Sequence, residues 1–275
     1  MIAPVYGLVL AGGESRRMGR DKATLRYGGR SQLERAMDLL EGRLERRYVS
    51  VRADQVHDAA RAAYPQVIDR ALGQGPVAGI LAAQALHPQA AWLVLACDLP
   101  LLDGGSLDAL LAQRAPQRLA TAFRSDHDGL PEPLCAIWEP ASHAPLSAYV
   151  ASGRHCPRKV LLQADVELLA QPNPRALDNV NTPAEYGTVM NTLVPARALR
   201  VQYFAILREQ AGRSDETLES TAATPRELYT ELRARYPFTL DAERLRVAVN
   251  ADFGDWDQPL RQGDTVVFIP PVAGG

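Results

Sequence analysis

The sequence predicts an α/β domain built on a doubly wound, mostly parallel sheet, followed by a small α+β domain. Three observations carry this expectation. From the N-terminus to about residue 190, short apolar runs alternate with helical patterns, the grammar of strands joined by crossover helices. One run, "WLVLAC" at 92–97, is apolar throughout, as a strand covered on both faces of a parallel sheet must be. Beyond residue 198 the pattern changes to two strands, a helix and two more strands.

The first strand is the apolar run "VYGLV" at 5–9, which empties into glycines. Ser31 and Glu34 form a capping-box signature, and Leu33, Ala36, Met37, Leu40 and Leu44 follow at helical spacing. "RYVSV" at 47–51 reads as a strand, and Gly75-Pro76 open an alanine-rich helix over 77–86. After the buried strand at 92–97, Ser106 is the expected N-cap of a helix carrying Leu107, Leu110 and Leu111. The pattern lapses at "NTLVPAR", 191–197. The expected division is therefore a first domain over 1–192, a linker over 193–198 and a second domain over 199–275. In the second, 199–205 is strand-like and 215–219 is a more polar strand. Thr224 to Glu227 combines a capping box with proline at the first helical position, and Leu228, Leu232 and Tyr236 continue the stripe. Strands at 246–250 and 265–269 complete it, the last entered through Gly263-Asp264.

Composition narrows the function. The 275 residues are 47% hydrophobic and 23% charged, average for a protein with a packed core. A formal net charge of −2 provides no global attraction to nucleic acid or anionic membrane, so any basic site is local. No apolar run nears the roughly 20 residues that cross a bilayer, and no leader-like segment opens the chain. Cys97, Cys135 and Cys156 are scattered without metal-ligand spacing. They read as reduced, buried packing thiols in a cytoplasmic protein.

Chemistry concentrates in "LAGGESRRMGRDKA", 10–23. Gly12 and Gly13 lack Cβ atoms, so the backbone there turns sharply and presents N–H groups to a ligand. Arg17 supplies a planar cationic fork and Lys22 a mobile point charge. The stretch is neither a Walker A motif nor G-x-G-x-x-G. It is a phosphate-binding loop, or merely a tight strand-to-helix connection. Asp98 favours the first reading, because it follows the buried strand at the carboxyl end, where such sheets bind ligands. Nucleotide-bound Mg²⁺ needs only one or two protein carboxylates, and Asp98 is the candidate. Asp69 follows another apolar pair, Val67-Ile68; it meets a ribose hydroxyl or serves the turn, and the residues alone do not choose.

With these residues in view, the first 190 positions resemble the molybdenum cofactor guanylyltransferases. The long motif at 10–23 is similar to that family's signature, and "GPVAG" at 75–79, "CDLP" at 97–100 and "NVNTP" at 179–183 fall in the family's order. Related cytidylyltransferases acting on the same pterin resemble L-A-A-G and G-D-Q-P instead, so the glycine pair and "CDLP" favour guanine. The resemblance implies that Leu10, Ala11 and Gly12 meet the guanine nucleotide and that Lys22 lies at the phosphates. It puts Asp69 near the nucleoside, Asp98 on Mg²⁺, and Asn179 and Asn181 toward the pterin. One departure stands out: some members carry asparagine after the second strand, where this chain reads Ser50-Val51-Arg52. The implied reaction is attack by the terminal phosphate of molybdopterin on the α-phosphorus of GTP, with pyrophosphate leaving. Such a nucleophile is already ionised, so alignment and charge neutralisation are what Arg17, Lys22 and Mg²⁺ must supply.

The chain closes on "PPVAGG". Proline stops the preceding strand, and the four small residues beyond Pro271 reach about 14 Å when extended. "VQYFAILREQAG" at 201–212 and "GDTVVFIPPVAGG" at 263–275 resemble the small subunit of molybdopterin synthase, a ubiquitin-like β-grasp sulfur carrier. That resemblance implies that Gly275, after Gly274, is adenylated by an ATP-dependent activating enzyme and becomes a thiocarboxylate. The sulfur would then pass to the pterin precursor inside the synthase large subunit. The exposed sheet face and Phe268 are candidates for partner contact, with core packing the favoured role for Phe268. Two other readings remain: a transferase of this fold for another phosphate acceptor (a sugar phosphate, or cytidylyl transfer), or chiefly a sulfur-carrier protein. His127 lies in a polar turn and reads as a solvated loop, and the basic stretch at 154–159 as a pterin-phosphate contact or an ordinary helix entry.

Overall fold

The computed structural model describes residues 2–13, 21–27, 29–69, 74–180, 182–193 and 196–271. The chain divides into two compact units: Met1–Arg26 with Arg30–Tyr186, and Tyr27–Gly29 with Gly187–Gly275. The first unit begins with β1 (Val5–Leu10), the short strands β2 (Arg26–Tyr27, its Tyr27 counted with the second unit) and β3 (Arg30–Ser31), and α1 (Gln32–Leu40). The capping box forms as read: the Ser31 amide donates to Glu34 Oε2 at 2.6 Å and the Glu34 amide to Ser31 Oγ at 3.2 Å. Next come β4 (Arg47–Arg52), α2 (Ala59–Ala62), β5 (Gln66–Asp69), α3 (Pro76–Leu86), β6 (Ala91–Ala96) and α4 (Gly104–Ala112). Then follow β7 (Ala120–Arg124), β8 (Pro131–Trp138), α5 (His143–Ala151), α6 (Pro157–Leu161), β9 (Val166–Leu169) and α7 (Pro183–Leu193), whose residues from Gly187 on belong to the second unit.

Seven of these strands form one sheet in the order β5-β4-β1-β6-β8-β7-β9. All neighbouring pairs are parallel except those made by β8, which runs antiparallel to β6 and β7. Side chains alternate across the sheet with period 2. Leu93 and Leu95 of β6 join Val9, Met37 and Leu107 on one face, while Trp92 and Val94 join Leu8, Ile80 and Leu146 on the other. Every residue of β6 is buried, which is why its sequence is apolar without interruption.

The expected cap of α4 moves by three residues. Asp103, not Ser106, stands at the N-cap, and its Oδ1 accepts the Ser106 amide at 2.8 Å. A carboxylate three residues upstream took the acceptor role, leaving Ser106 as the donor and fully buried inside the helix. The glycines of "GPVAG" serve different purposes. Gly75 holds φ +67° just before α3, a conformation that a Cβ disfavours. Gly79 sits where a Cβ would lie 2.5 Å from Ser50 Oγ and 2.8 Å from Leu10 Cδ2. Its bare backbone thus lets α3 lie tightly against the carboxyl ends of β1 and β4.

The second unit contains β10 (Arg197–Tyr203), α8 (Ala205–Ala211), β11 (Asp215–Ser220), α9 (Pro225–Arg235), β12 (Arg246–Val249), β13 (Asp252–Phe253) and β14 (Thr265–Ile269). Its sheet order is β11-β10-β14-β12-β13: the first and last long strands run parallel at the centre, and hairpins flank them. This is the strand order of a ubiquitin-like β-grasp. The strand expected at 199–205 is shifted toward the N-terminus, and Ala205 begins a helix that the sequence pattern did not announce. Seven residues are too few to establish a periodic stripe. Thr224 caps α9, accepting the Glu227 amide at 3.3 Å. Phe268 is fully buried against Tyr229 and Trp256, with ring centroids 5.0 and 5.7 Å away; it belongs to the core.

Replacing Gly79 by alanine forces Ser50 or Leu10 to move. The expected loss is about 1–3 kcal/mol of stability, read as a lower unfolding midpoint of Gly79→Ala in urea.

Candidate active site

The sheet reverses its winding between β1 and β6. Beyond β1 the chain builds outward through β4 and β5, then crosses back to lay β6 on the opposite side of β1. Such a reversal leaves a crevice outside the carboxyl ends of the two strands, the standard ligand site of open α/β sheets. The register pairs Leu10 with Ala96, and the Cys97 amide donates to the Leu10 carbonyl at 3.3 Å. The glycine-rich turn and Asp98 therefore leave adjacent strands side by side.

Leu10 is half-buried, facing α3, and Ala11 is buried with its amide donating to the Ser50 carbonyl at 3.1 Å. Gly12 follows next to Arg52, and Gly13 opens to solvent. Arg17 lies outside the described residues. At Asp21 the chain is again defined, and Asp21 caps the short helical turn Lys22–Thr24 by accepting the Ala23 amide at 3.0 Å. That turn carries the Lys22 ammonium to Asp98, where Nζ donates to Oδ2 at 2.7 Å. Both side chains are partly exposed, 18% for Lys22 and 25% for Asp98, so the pair faces the crevice rather than the core.

A third segment joins them. The Val180 amide donates to the Asp98 carbonyl at 3.3 Å, which seats the "NVNTP" segment on the same turn. Asn179 beside it is exposed, and Asn181 lies outside the described residues. Thr182 and Glu185 exchange hydrogen bonds at 3.1 and 3.3 Å, a capping box that starts α7 and accounts for the Thr-Pro of the motif. Asp69 ends β5 half-buried, opposite Arg52 in the register, two strands further from Asp98 than the glycine turn. Gly274 and Gly275 lie outside the described residues.

Arg61 carried no signal in the pattern; Asp21 lies inside the motif at 10–23 and Arg52 in the departure after the second strand, but neither was given a role from sequence. Arg52 Nη1 donates to the Gly12 carbonyl at 2.5 Å, and Arg61, 1% exposed, donates to the Ala11 carbonyl and to Asp21. Helix α2, which holds Arg61, is four residues long and too short to show a face. Among the described residues no group of three or more His, Cys, Asp or Glu side chains could hold a metal by itself. The site fits a divalent cation that arrives with phosphate ligands and needs one carboxylate more, which Asp98 offers. Cys97, next to Asp98, is no nucleophile: burial first, and then the charge of Asp98, pushes its thiol up to about 12.

Residues 7–168 match the family model described as the MobA-like NTP transferase domain. The chain belongs to this family. Residues 201–275 match the model of the ThiS family, so a nucleotidyltransferase domain precedes a ThiS domain. A "Molybdenum cofactor biosynthesis bifunctional protein" of Synechocystis sp. is 36% identical over 186 residues, which are 68% of this chain and 54% of that protein. The chain thus spans about half the length of that relative. A "Probable molybdenum cofactor guanylyltransferase" of Mycobacterium avium is 33% identical over 202 residues, 70% of this chain and 96% of that protein. Among solved structures, the molybdopterin-guanine dinucleotide biosynthesis protein A of Archaeoglobus fulgidus shares the transferase fold. Its TM-score is 0.55 at 22% identity, covering 68% of this chain and 97% of that one. Among the described residues no helix is long and apolar enough to cross a membrane.

The expectation of three buried cysteines fails at Cys156, which is exposed, while Cys97 and Cys135 are buried. Cys156 precedes α6, where the chain runs along the surface instead of through the sheet. Titration of the native chain with a chromogenic disulfide reagent should show one fast thiol, with the other two reacting only in denaturant.

Proposed function

We propose that the N-terminal unit transfers GMP from GTP to the terminal phosphate of molybdopterin and releases pyrophosphate. The observation that carries this reading is the Lys22–Asp98 pair, 2.7 Å apart at the crevice between β1 and β6. An ammonium and a carboxylate held together there are what a metal-bearing triphosphate needs. Lys22 would pair with the phosphate oxygens, and Asp98 would hold the cation that accompanies them. Leu10, Ala11, Gly12 and Gly13 bind the nucleotide along their backbone, with Asp69 toward the nucleoside and Asn179 and Asn181 toward the pterin. Arg17 contributes a second cationic contact. The Mg²⁺ that travels with GTP supplies charge neutralisation at the α-phosphate, with Asp98 as its protein ligand. The pterin phosphate oxygen bonds to the α-phosphorus, and the bond from that phosphorus to the oxygen bridging to the β-phosphate breaks. Pyrophosphate departs with the electron pair. No general base is required for a phosphate already ionised near neutral pH; the chain's task is alignment and neutralisation.

For the C-terminal unit we propose a sulfur carrier, adenylated at Gly275 by an ATP-dependent enzyme and converted to a thiocarboxylate for the molybdopterin synthase large subunit. The ThiS match through residue 275 supports this. So does the surface where β14 ends. Because β10 and β14 run parallel with Tyr203 opposite Phe268, the exposed Phe204 and Ile206 lie at the end of the sheet from which Pro270 leads away. An apolar patch beside that exit suits a docked partner. Free thiols suit a reducing compartment, and a cytoplasmic location is part of this reading.

Pyrophosphate release tests the first half. With Mg²⁺ and molybdopterin, GTP should be turned over in preference to CTP and ATP, and a sugar phosphate should not replace the pterin. Asp98→Ala should lower kcat by on the order of 10²-fold or more; a folded variant with normal turnover refutes the metal assignment. For the second half, intact-mass spectrometry after incubation with the activating enzyme, ATP and a sulfur donor should show one oxygen exchanged for sulfur. Deletion of Gly275 should abolish that change.

A further inference from the structure

Resting on the nucleotide reading above, we propose that Arg61 and Arg52 are positioning residues. From behind the glycine-rich turn they hold two consecutive carbonyls, and so fix the N–H groups that meet the triphosphate and the place of Lys22.

Arg61 is the more constrained. Its guanidinium is buried beneath the turn, with Nε and Nη2 donating to the Ala11 carbonyl at 3.1 and 2.7 Å. Nη2 also donates to Asp21 Oδ2 at 2.6 Å, and Nη1 lies 3.2 Å from Asp58 Oδ1. One planar cation thus joins the residue that enters the turn, Ala11, to the residue that leaves it, Asp21. Asp21 in turn caps the helical turn whose first residue is Lys22. The ends of the loop and the root of the lysine are tied to a single group that has almost no freedom to move.

Arg52 acts one residue further on. Its Nη1 donates to the Gly12 carbonyl at 2.5 Å, while Nε and Nη2 are held by Asp54 at 3.0 and 2.9 Å. The peptides here are trans, and in a trans unit the C=O and the following N–H point in opposite directions. Drawing the carbonyls of Ala11 and Gly12 back toward the arginines therefore turns the amides of Gly12 and Gly13 the other way. An anion site made of backbone amides needs such an anchor, since otherwise the glycines are free to rotate the same carbonyls toward the phosphate. The fork matters as well as the charge: lysine has one nitrogen and cannot bridge Ala11, Asp21 and Asp58 together.

Isothermal titration of the full chain with Mg·GTP tests the clamp, with Arg114→Lys as the control. Arg114 is another largely buried arginine, doubly bonded to Glu139 at 2.7 and 2.8 Å and touching the Ala3 carbonyl before β1, at the opposite end of the sheet. Arg61→Lys should weaken GTP binding at least tenfold and raise the KM for GTP but not for the pterin, whereas Arg114→Lys should leave affinity unchanged even when it lowers the unfolding midpoint equally. Asp21→Asn keeps an oxygen for the Ala23 amide but discharges the partner of Arg61. It should weaken binding several-fold, and less than additively in combination with Arg61→Lys. A folded Arg61→Lys chain with wild-type affinity overturns the clamp, as does a loss that Arg114→Lys reproduces. If Arg61→Lys does not fold, wild-type affinity in Asp21→Asn overturns it instead. A wild-type chain that binds none of GTP, CTP, ATP and UTP overturns the clamp and the nucleotide reading together.

Discussion

The six-residue parallel pairing of β1 with β6, from Val5 opposite Ala91 to Leu10 opposite Ala96, is the constraint on which the transferase unit depends. It puts the strand exits that carry the glycine turn and Asp98 next to each other. Everything at the crevice inherits its position from this register: the glycine turn from β1, Asp98 from β6, and Val180 bound to the backbone of Asp98. The register is secure because each strand feeds side chains to two separate cores, and a slip of one residue would exchange every side chain between them.

Two kinds of ion pair meet at this crevice, and their burial separates their uses. Arg61, held by Asp21 and Asp58, is out of water. A buried cation of this sort persists only with its partners in place, because an unpaired buried charge is costly. It suits a fixed anchor. Lys22 and Asp98 retain contact with solvent, where an ion pair contributes about 1 kcal/mol or less. In the proposed reaction such a pair would be exchanged for stronger ones, phosphate for the lysine and a divalent cation for the carboxylate. The site combines a rigid support with a yielding pair of charges at its surface.

The second unit solves a different problem, that of stabilising a small sheet. Tyr229, Phe238, Trp256 and Phe268 pack ring to ring under β14. At the sheet margin, Glu216 accepts hydroxyls from Tyr203 at 2.6 Å and Tyr236 at 2.8 Å. Burial, and then the Glu216 carboxylate, raises the Tyr203 hydroxyl well above its usual range. The phenols therefore stay protonated, as donors to that carboxylate. Of the large apolar groups left outside, Phe204 and Ile206 lie where β10 and β14 end, while Phe253 is exposed on the edge strand β13.

By itself the sequence determined what can be decided over a few residues. The Ser31–Glu34 box, the glycine turn, the two-sided burial of β6 and the start of α9 are local hydrogen-bonding or solvation choices, and each is legible as a short pattern. Asp98 was legible too, because a carboxylate directly after a wholly apolar strand has one place to be. Tertiary structure alone decided that Lys22 meets Asp98 across 76 positions, that Arg61 underlies the turn from a helix of four residues, and that Cys156 is exposed while Cys97 is not. Such pairings leave no mark in spacing or periodicity. They follow from strand order, and strand order is settled by which apolar faces can be buried together.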